Sequence, residues 1–264
     1  MSSNHKSSHG QWSSRVGFIL AATGSAVGLG NIWKFPYMTG QSGGAAFVIT
    51  YLICIAFIGL PILVMEWLVG RRGQKNPIHA VEDVAVQNGR SKAWKIIGIS
   101  GVVGSFLILS FYSVIGGWAV DYIIITGSGT FNGMDGKATE TLFTDFLGNP
   151  GQLLERASKL LMPALALVLV ILVGYGAIFT DALGQAAAYL FSPNWSAIDG
   201  KVVLAALGHA FFTLSLGMGI MLSYGSYIGK NVDLLKTART VVILDTVIAL
   251  VAGLAIFPLV FAHN

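Results

Sequence analysis

Six stretches of this chain carry no charged side chain over 18 to 31 residues, and that pattern constrains the fold more than any other feature. They cover residues 16–33, 35–65, 96–120, 160–180, 202–229 and 246–264. A helix that crosses a bilayer needs about 20 apolar residues, because the hydrocarbon core is roughly 30 Å thick. Inside lipid only helices and closed barrels satisfy every backbone group, and barrel strands read as alternating segments of about 10 residues. These runs are too long and too continuous for strands, so the sequence predicts an all-α integral membrane protein with about six transmembrane helices. Composition matters here for what it excludes. Charged residues make up 11% of the chain and hydrophobic residues 54%, against about 25% charged in an ordinary soluble domain. So few charges cannot coat a 28 kDa globule, which removes soluble, disordered and nucleic-acid-binding classes despite a net charge of +4. Cys54 is the sole cysteine, so no internal disulfide framework or multi-cysteine metal site exists. With five scattered histidines it offers no nucleophile–base pair, and the chain is not read as an enzyme.

Lys and Arg accumulate on the cytoplasmic side of membrane helices. The stretch 71–95 holds Arg71, Arg72, Lys75, Arg90, Lys92 and Lys95 and reads as cytoplasmic, as does 230–239 with Lys230, Lys236 and Arg239. The stretches 121–155 and 181–201 are acid-rich and read as external. This predicts a cytoplasmic N-terminal tail, 1–14, and a transmembrane domain, 15–264, with helices near 15–37, 43–71, 92–126, 157–180, 202–229 and 236–262. The first apolar run follows a long polar leader and is broken by glycines, so it is not read as a signal peptide. One junction violates the alternation. Arg156 and Lys159 place the start of the fourth run in the cytoplasm, yet 131–145 is external and nothing between them is apolar enough to cross back. A spanning helix is therefore expected to be missing near 149–152, and the apolar ending FPLVFAHN adds to the expectation of an incomplete molecule.

Two of the runs are interrupted. GSAVGLGN, residues 24–31, places Gly24, Gly28 and Gly30 within seven residues, each costing about 1 kcal/mol in a helix interior relative to Ala. Gly24 and Gly28 could form a small-xxx-small packing face. Alternatively the segment is unwound, with its carbonyls toward a protein-lined cavity, and the deep polar Asn31 favours this. FFTLSLGMG, residues 211–219, repeats the pattern with Thr213 and Ser215 beside Gly217 and Gly219. Two discontinuous helices expose amides and carbonyls that can hold an anionic group and small cations at the membrane midplane, which is how a transporter builds its binding site.

Residues 12–47 (WSSRVGFILAATGSAVGLGNIWKFPYMTGQSGGAAF), 59–73 (GLPILVMEWLVGRRG) and 208–227 (GHAFFTLSLGMGIMLSYGSY) resemble the first, second and sixth helices of the neurotransmitter:sodium symporter family, in its bacterial amino-acid transporter branch. The resemblance implies a leucine-transporter-like fold of inverted repeats, present here in part. The six runs would be family helices one, two, three, five, six and seven, with the first and sixth broken. The fourth would be deleted and those after the seventh absent.

The resemblance also implies roles. The substrate carboxylate would meet amides around Ser25, Leu29 and Gly30 together with the Tyr112 hydroxyl, and its amino group carbonyls near Phe212, Thr213 and Ser215. Ile108, Tyr112, Phe212, Ser215 and Met218 would line a pocket for a neutral, hydrophobic or aromatic amino acid. Read alone, Tyr112 is equally a membrane-core tyrosine bonded to a neighbouring helix, and the others a core stripe. A first sodium site would use the Ala26 carbonyl, Asn31, Thr213 and Asp245. Asp245 would supply the negative charge that chloride provides in animal relatives, so chloride would not be required. Its alternative is a solvated acid near the cytoplasmic end of its helix. A second, incomplete sodium site would use the Gly24 and Val27 carbonyls. Glu66 would brace the broken first helix by accepting backbone amides, or be neutralised by Arg71 or Arg72. Lys34 would be the cation of the external gate, Trp12 part of the inner gate. His209 stands in the external gate region, where it could make the site pH-sensitive, or is a hydrogen-bonded bundle histidine.

The inherited activity implied is sodium-coupled symport of an amino acid across the plasma (inner) membrane, with the amino acid and the lipid bilayer as partners and no nucleic acid. The alternative is a transport-incompetent remnant, or a membrane assembly partner that forms a homo-oligomer or joins a full-length relative.

Overall fold

The computed structural model describes residues 14–130, 137–138, 141, 174 and 182–263. The expected helix at 157–180, the expected deletion near 149–152 and Trp12 lie outside the described residues. The chain forms two compact units, residues 1–105 with 169–264, and residues 106–168. Every regular element among the described residues is helical.

The first unit opens with α1 (Arg15–Ala26), whose cap Ser14 accepts from the Gly17 amide at 3.0 Å. This satisfies one of the donors that a helix start leaves unpaired. After a break, α2 (Gly30–Gln41) follows at 52° to α1. It begins with a wide π turn, Gly30–Lys34, closed by the Phe35 amide on the Gly30 carbonyl. The next helix, α3 (Ala45–Gly73), contains a second π turn, Ile55–Gly59, closed by the Leu60 amide on the Ile55 carbonyl. Each turn is followed directly by a proline, Pro36 or Pro61. Proline lacks an amide and its ring crowds the carbonyl four residues back. Widening the preceding turn moves that carbonyl aside.

Beyond Gln74, a left-handed residue at φ 47°, comes α4 (Pro77–Gln87), capped by Asn76 and joined to it by the Lys75–Asp83 ion pair. Next are α5 (Lys95–Gly127), which runs on into the second unit, α6 (Leu183–Phe191), and α7 (Gly200–Thr213) capped by Asp199. The unit ends with α8 (Ile220–Ser226) and the 30-residue α9 (Leu234–His263). Among the described residues, three helical spans, Ala45–Gly73, Lys92–Tyr112 and Leu234–Phe261, are long and apolar enough to cross a membrane, or four if the α1–α2 pair counts as one bent span.

The core is aromatic and small-residue rich. Phe18 meets Trp67 edge-on at 4.9 Å, and Phe35, Phe47 and Tyr51 gather around His209. α3 and α8 pack backbone to backbone because glycines face each other's chain. A Cβ on Gly225 would lie 2.7 Å from Trp67 Cα, and one on Gly70 would strike the Leu222 carbonyl. Phe57, Ile243 and Val247 point outward at 77%, 60% and 49% exposure, which a bilayer tolerates and water would not. In the second unit α5 continues to Gly127 and closes in a turn where Ser128 Oγ donates to the Ile125 carbonyl.

Candidate functional site

The first interruption lies between α1 and α2. The Val27 amide closes α1 on the Thr23 carbonyl at 2.7 Å, and Val27 itself is extended at ψ 120°. The Gly28 amide is taken by the side chain of Asn31 at 3.2 Å, while the amides of Asn31 and Ile32 both turn back to the Gly28 carbonyl. Leu29 and Gly30 then stand at the start of α2, where a helix has no internal acceptors for its amides. Gly24 makes no close packing contact, since among the described residues nothing lies within 4 Å of a Cβ placed on it.

The second interruption separates α7 from α8. Ser215, Gly217 and Gly219 all take positive φ, at 54°, 75° and 73°. This is uncommon for a non-glycine residue and stores strain at Ser215. The Ser215 hydroxyl reaches across to the Ser25 carbonyl at 3.3 Å, and the Gly217 amide donates to Glu66 Oε1 at 2.7 Å. α5 passes over this break at Gly101, where a Cβ would lie 2.8 Å from the Gly219 amide nitrogen. Ser105 Oγ on the same helix donates to the Met218 carbonyl at 2.6 Å.

Between the two breaks sits a buried polar cluster. Asn31 Nδ2 donates to Asp245 Oδ1 at 2.8 Å and to its carbonyl at 3.0 Å. Thr213 Oγ1 lies 3.0 Å from each Asp245 carboxylate oxygen and 3.2 Å from Asn31 Oδ1. Tyr51 OH adds a long contact to Asp245 Oδ2 at 3.5 Å. Asn31 and Asp245 are 0% exposed and Thr213 is 1% exposed. Thr213 has one proton for three acceptors, so the cluster is rich in oxygen and short of donors. An all-oxygen set with one carboxylate suits a hard cation. Ala26, 6% exposed, ends α1 beside this cluster's Asn31 loop. Above it, Gly30 packs on the Phe212 ring at 3.2 Å from an added Cβ, and Lys34 Nζ lies 4.2 Å from the centre of that ring.

Three readings are corrected. Asp245 is not a solvated acid near a helix end: α9 begins eleven residues earlier, so Asp245 lies roughly 16 Å along it, at 1.5 Å per residue. Glu66 holds the second break, not the first, because the glycine contacts of α3 with α8 put it beside Gly217. Nor is it neutralised by Arg71, which donates to the Val232 carbonyl at 2.9 Å. No ion pair joins Glu66 to Arg72 among the described residues. His209 is no hydrogen-bonded bundle histidine. It is 1% exposed, its ring lies 5.1 Å from that of Tyr51, and neither ring nitrogen has a hydrogen-bond partner among the described residues.

Gly24 is exposed and Val27 half-buried, and no hydrogen bond joins either to the Asp245 cluster among the described residues. Ile108 and Tyr112 fall in the second unit, where both are half-buried and Tyr112 meets the Phe111 ring edge-on at 6.1 Å. Tyr51 and Ser105 were not singled out from the sequence. Each sits in an apolar run, where a hydroxyl gives no signal comparable to the amide or carboxyl groups of Asn31, Glu66 and Asp245.

Two discontinuous helices joined through a buried oxygen cluster define an integral membrane protein built on the plan by which secondary transporters hold substrate and ions. The sequence model of the sodium:neurotransmitter symporter family matches residues 9–132 and 154–262, and the chain belongs to that family. It is 39% identical, over 96% of its length, to the uncharacterised sodium-dependent transporter YhdH of Bacillus subtilis. An uncharacterised sodium-dependent transporter of Haemophilus influenzae is 34% identical over the whole chain. The crystal structure of MhsT in complex with L-phenylalanine superposes on 96% of the chain with a TM-score of 0.81 at 43% identity. The chain spans 60%, 64% and 62% of these three proteins, respectively. Its fold is thus the leucine-transporter-like one, present in part.

Proposed function

We propose that this chain carries the central site of a sodium-coupled symporter for a neutral, hydrophobic or aromatic amino acid in the plasma membrane, with its N-terminus in the cytoplasm. The observation that carries the proposal is the buried Asn31–Thr213–Asp245 cluster, which ties both helix breaks to α9. A cation accepted by these oxygens and the Ala26 carbonyl would replace hydrogen bonds that now join three segments, so ion occupancy and the position of the breaks are linked. The substrate carboxylate would sit on the Leu29 and Gly30 amides near Ser25. Its ammonium would sit on carbonyls at Phe212, Thr213 and Ser215. Phe212 and Met218 would bring no charged group of their own to the substrate side chain, and L-phenylalanine in the MhsT complex supports an aromatic occupant.

Asp245 would supply the negative charge beside sodium, so chloride would not be needed. Transport by an Asp245→Asn variant should become chloride-sensitive, and an unchanged response to chloride sinks this assignment. Gly24 and Val27 would give the second sodium site only its first two carbonyls. Lys34 over Phe212 would close the external side, with Trp12 serving the inner side and His209 tuning the outer one.

A second reading, a transport-incompetent remnant or an assembly partner of itself or of a full-length relative, is supported by residues 133–153, which the family model leaves unmatched. One experiment separates the two: binding of a radiolabelled neutral amino-acid mixture to the purified chain, in sodium and in choline. Sodium-dependent, competable binding followed by uptake into liposomes is expected. Binding without uptake selects the second reading, and no binding by monodisperse helical protein refutes the site.

A further inference from the structure

Glu66 is held by only one of its carboxylate oxygens. Oε1 accepts the Gly217 amide, while Oε2 is buried without a hydrogen-bond partner among the described residues, on a side chain 8% exposed. It lines a cavity of about 230 Å³. Its other side chains are apolar, Ile62, Met65 and Val69 of α3, Val81 of α4, Ile97 of α5 and Leu222 of α8, and Gly217 and Gly219 of the second break complete the wall. Met65 and Ile97 are 55% and 49% exposed, so the cavity opens between α3 and α5 on an apolar rim.

A lone carboxylate oxygen in such a setting calls for a positive or hydrogen-donating partner. The chain does not supply one from the basic groups next in sequence, since Arg71 is bonded to the Val232 carbonyl and Lys75 is paired with Asp83. An inorganic cation is poorly matched, because such ions take several oxygens and one carboxylate is all this apolar wall provides. We propose that this cavity is a binding site for a small lipophilic primary amine, its ammonium on Glu66 Oε2 and its apolar body against Ile62, Val69, Val81 and Leu222, entering from the lipid past Met65 and Ile97. It is separate from the proposed amino-acid site in its lining: none of its wall residues is among those proposed to hold the substrate.

The test is a fluorine NMR titration of the chain in lipid nanodiscs with 4-(trifluoromethyl)benzylamine and with the matching alcohol, subtracting protein-free nanodiscs. Saturable amine binding about tenfold tighter than that of the alcohol is expected, because a charge-assisted hydrogen bond is roughly twice as strong as a neutral one. Glu66→Gln should remove that preference, because the ammonium loses its anionic partner and keeps its cost of leaving water. Val81→Trp, which fills the cavity and leaves the Gly217 contact alone, should abolish saturable binding even if Glu66→Gln fails to fold. Equal affinity for amine and alcohol, full amine binding by the Val81→Trp protein, or displacement of the amine by excess L-phenylalanine would each overturn the proposal.

Discussion

The two helix breaks do the same thing by different means. The first, at Val27–Leu29, uses no positive φ and is closed by its own neighbour, with Asn31 accepting from Gly28 three residues away. The second, at 214–219, puts three residues in the left-handed region and is held from another helix, with Glu66 accepting from Gly217 across 151 residues of sequence. One break is therefore a local property of its segment. The other is a strained turn that persists because α3 is docked against it, which is how strain survives when surrounding packing over-determines it. The buried Asn31–Thr213–Asp245 cluster thus joins a break closed largely within its own segment to one braced from another helix.

The most damaging change should be Asp245→Ala, which severs the junction between the breaks. It leaves the Asn31 amide only the carbonyl of residue 245 and the Thr213 hydroxyl only Asn31 Oδ1, and it removes the carboxylate a cation would meet. Sodium-dependent amino-acid binding should fall by about a hundredfold or more, each 1.4 kcal/mol being tenfold. Wild-type affinity in this variant would refute the cluster's role.

Removing each brace separately sharpens the contrast. Glu66→Ala should cost about 1–3 kcal/mol and speed hydrogen exchange at Gly217 and its neighbours, leaving Gly28 slow. Asn31→Ala should do the reverse at Gly28. Equal acceleration at both breaks after either change would show that the breaks are not independently held.

Two glycine substitutions read the backbone itself, since neither site has a neighbour within 4 Å of an added Cβ. Gly217→Ala carries only the penalty for φ +75°, about 1–2 kcal/mol, and should lower the thermal midpoint. Gly24→Ala, inside α1, should raise stability by up to about 1 kcal/mol through helix propensity. A midpoint that moves the same way in both would break the distinction between a local and an imposed interruption.

Much of the site was legible because membrane sequences punish exceptions. Asn31, Glu66 and Asp245 stand out as polar residues in apolar runs, where an unpaired group is costly and its presence signals a role. Glycines clustered at 24–30 and 217–219 marked where helices would stop. What could not be read was which exception meets which. The family resemblance gives Glu66 to the first break, and the structure gives it to the second because Gly70 and Gly225 let α3 and α8 touch. Tyr51 and Ser105 were invisible, since a tyrosine or serine in a membrane helix ordinarily satisfies itself locally.

The sequence by itself determined the helical class, the apolar spans, the positions of the two breaks and the family, because each follows from local composition, periodicity or a long specific motif. The tertiary structure decided the pairing of Asn31 and Thr213 with Asp245, the support of Gly217 by Glu66, and the packing of His209 among Phe35, Phe47 and Tyr51. Those depend on how close two backbones approach and which helix faces turn together. Contacts between residues 32 to 214 positions apart leave no periodic trace in either segment alone.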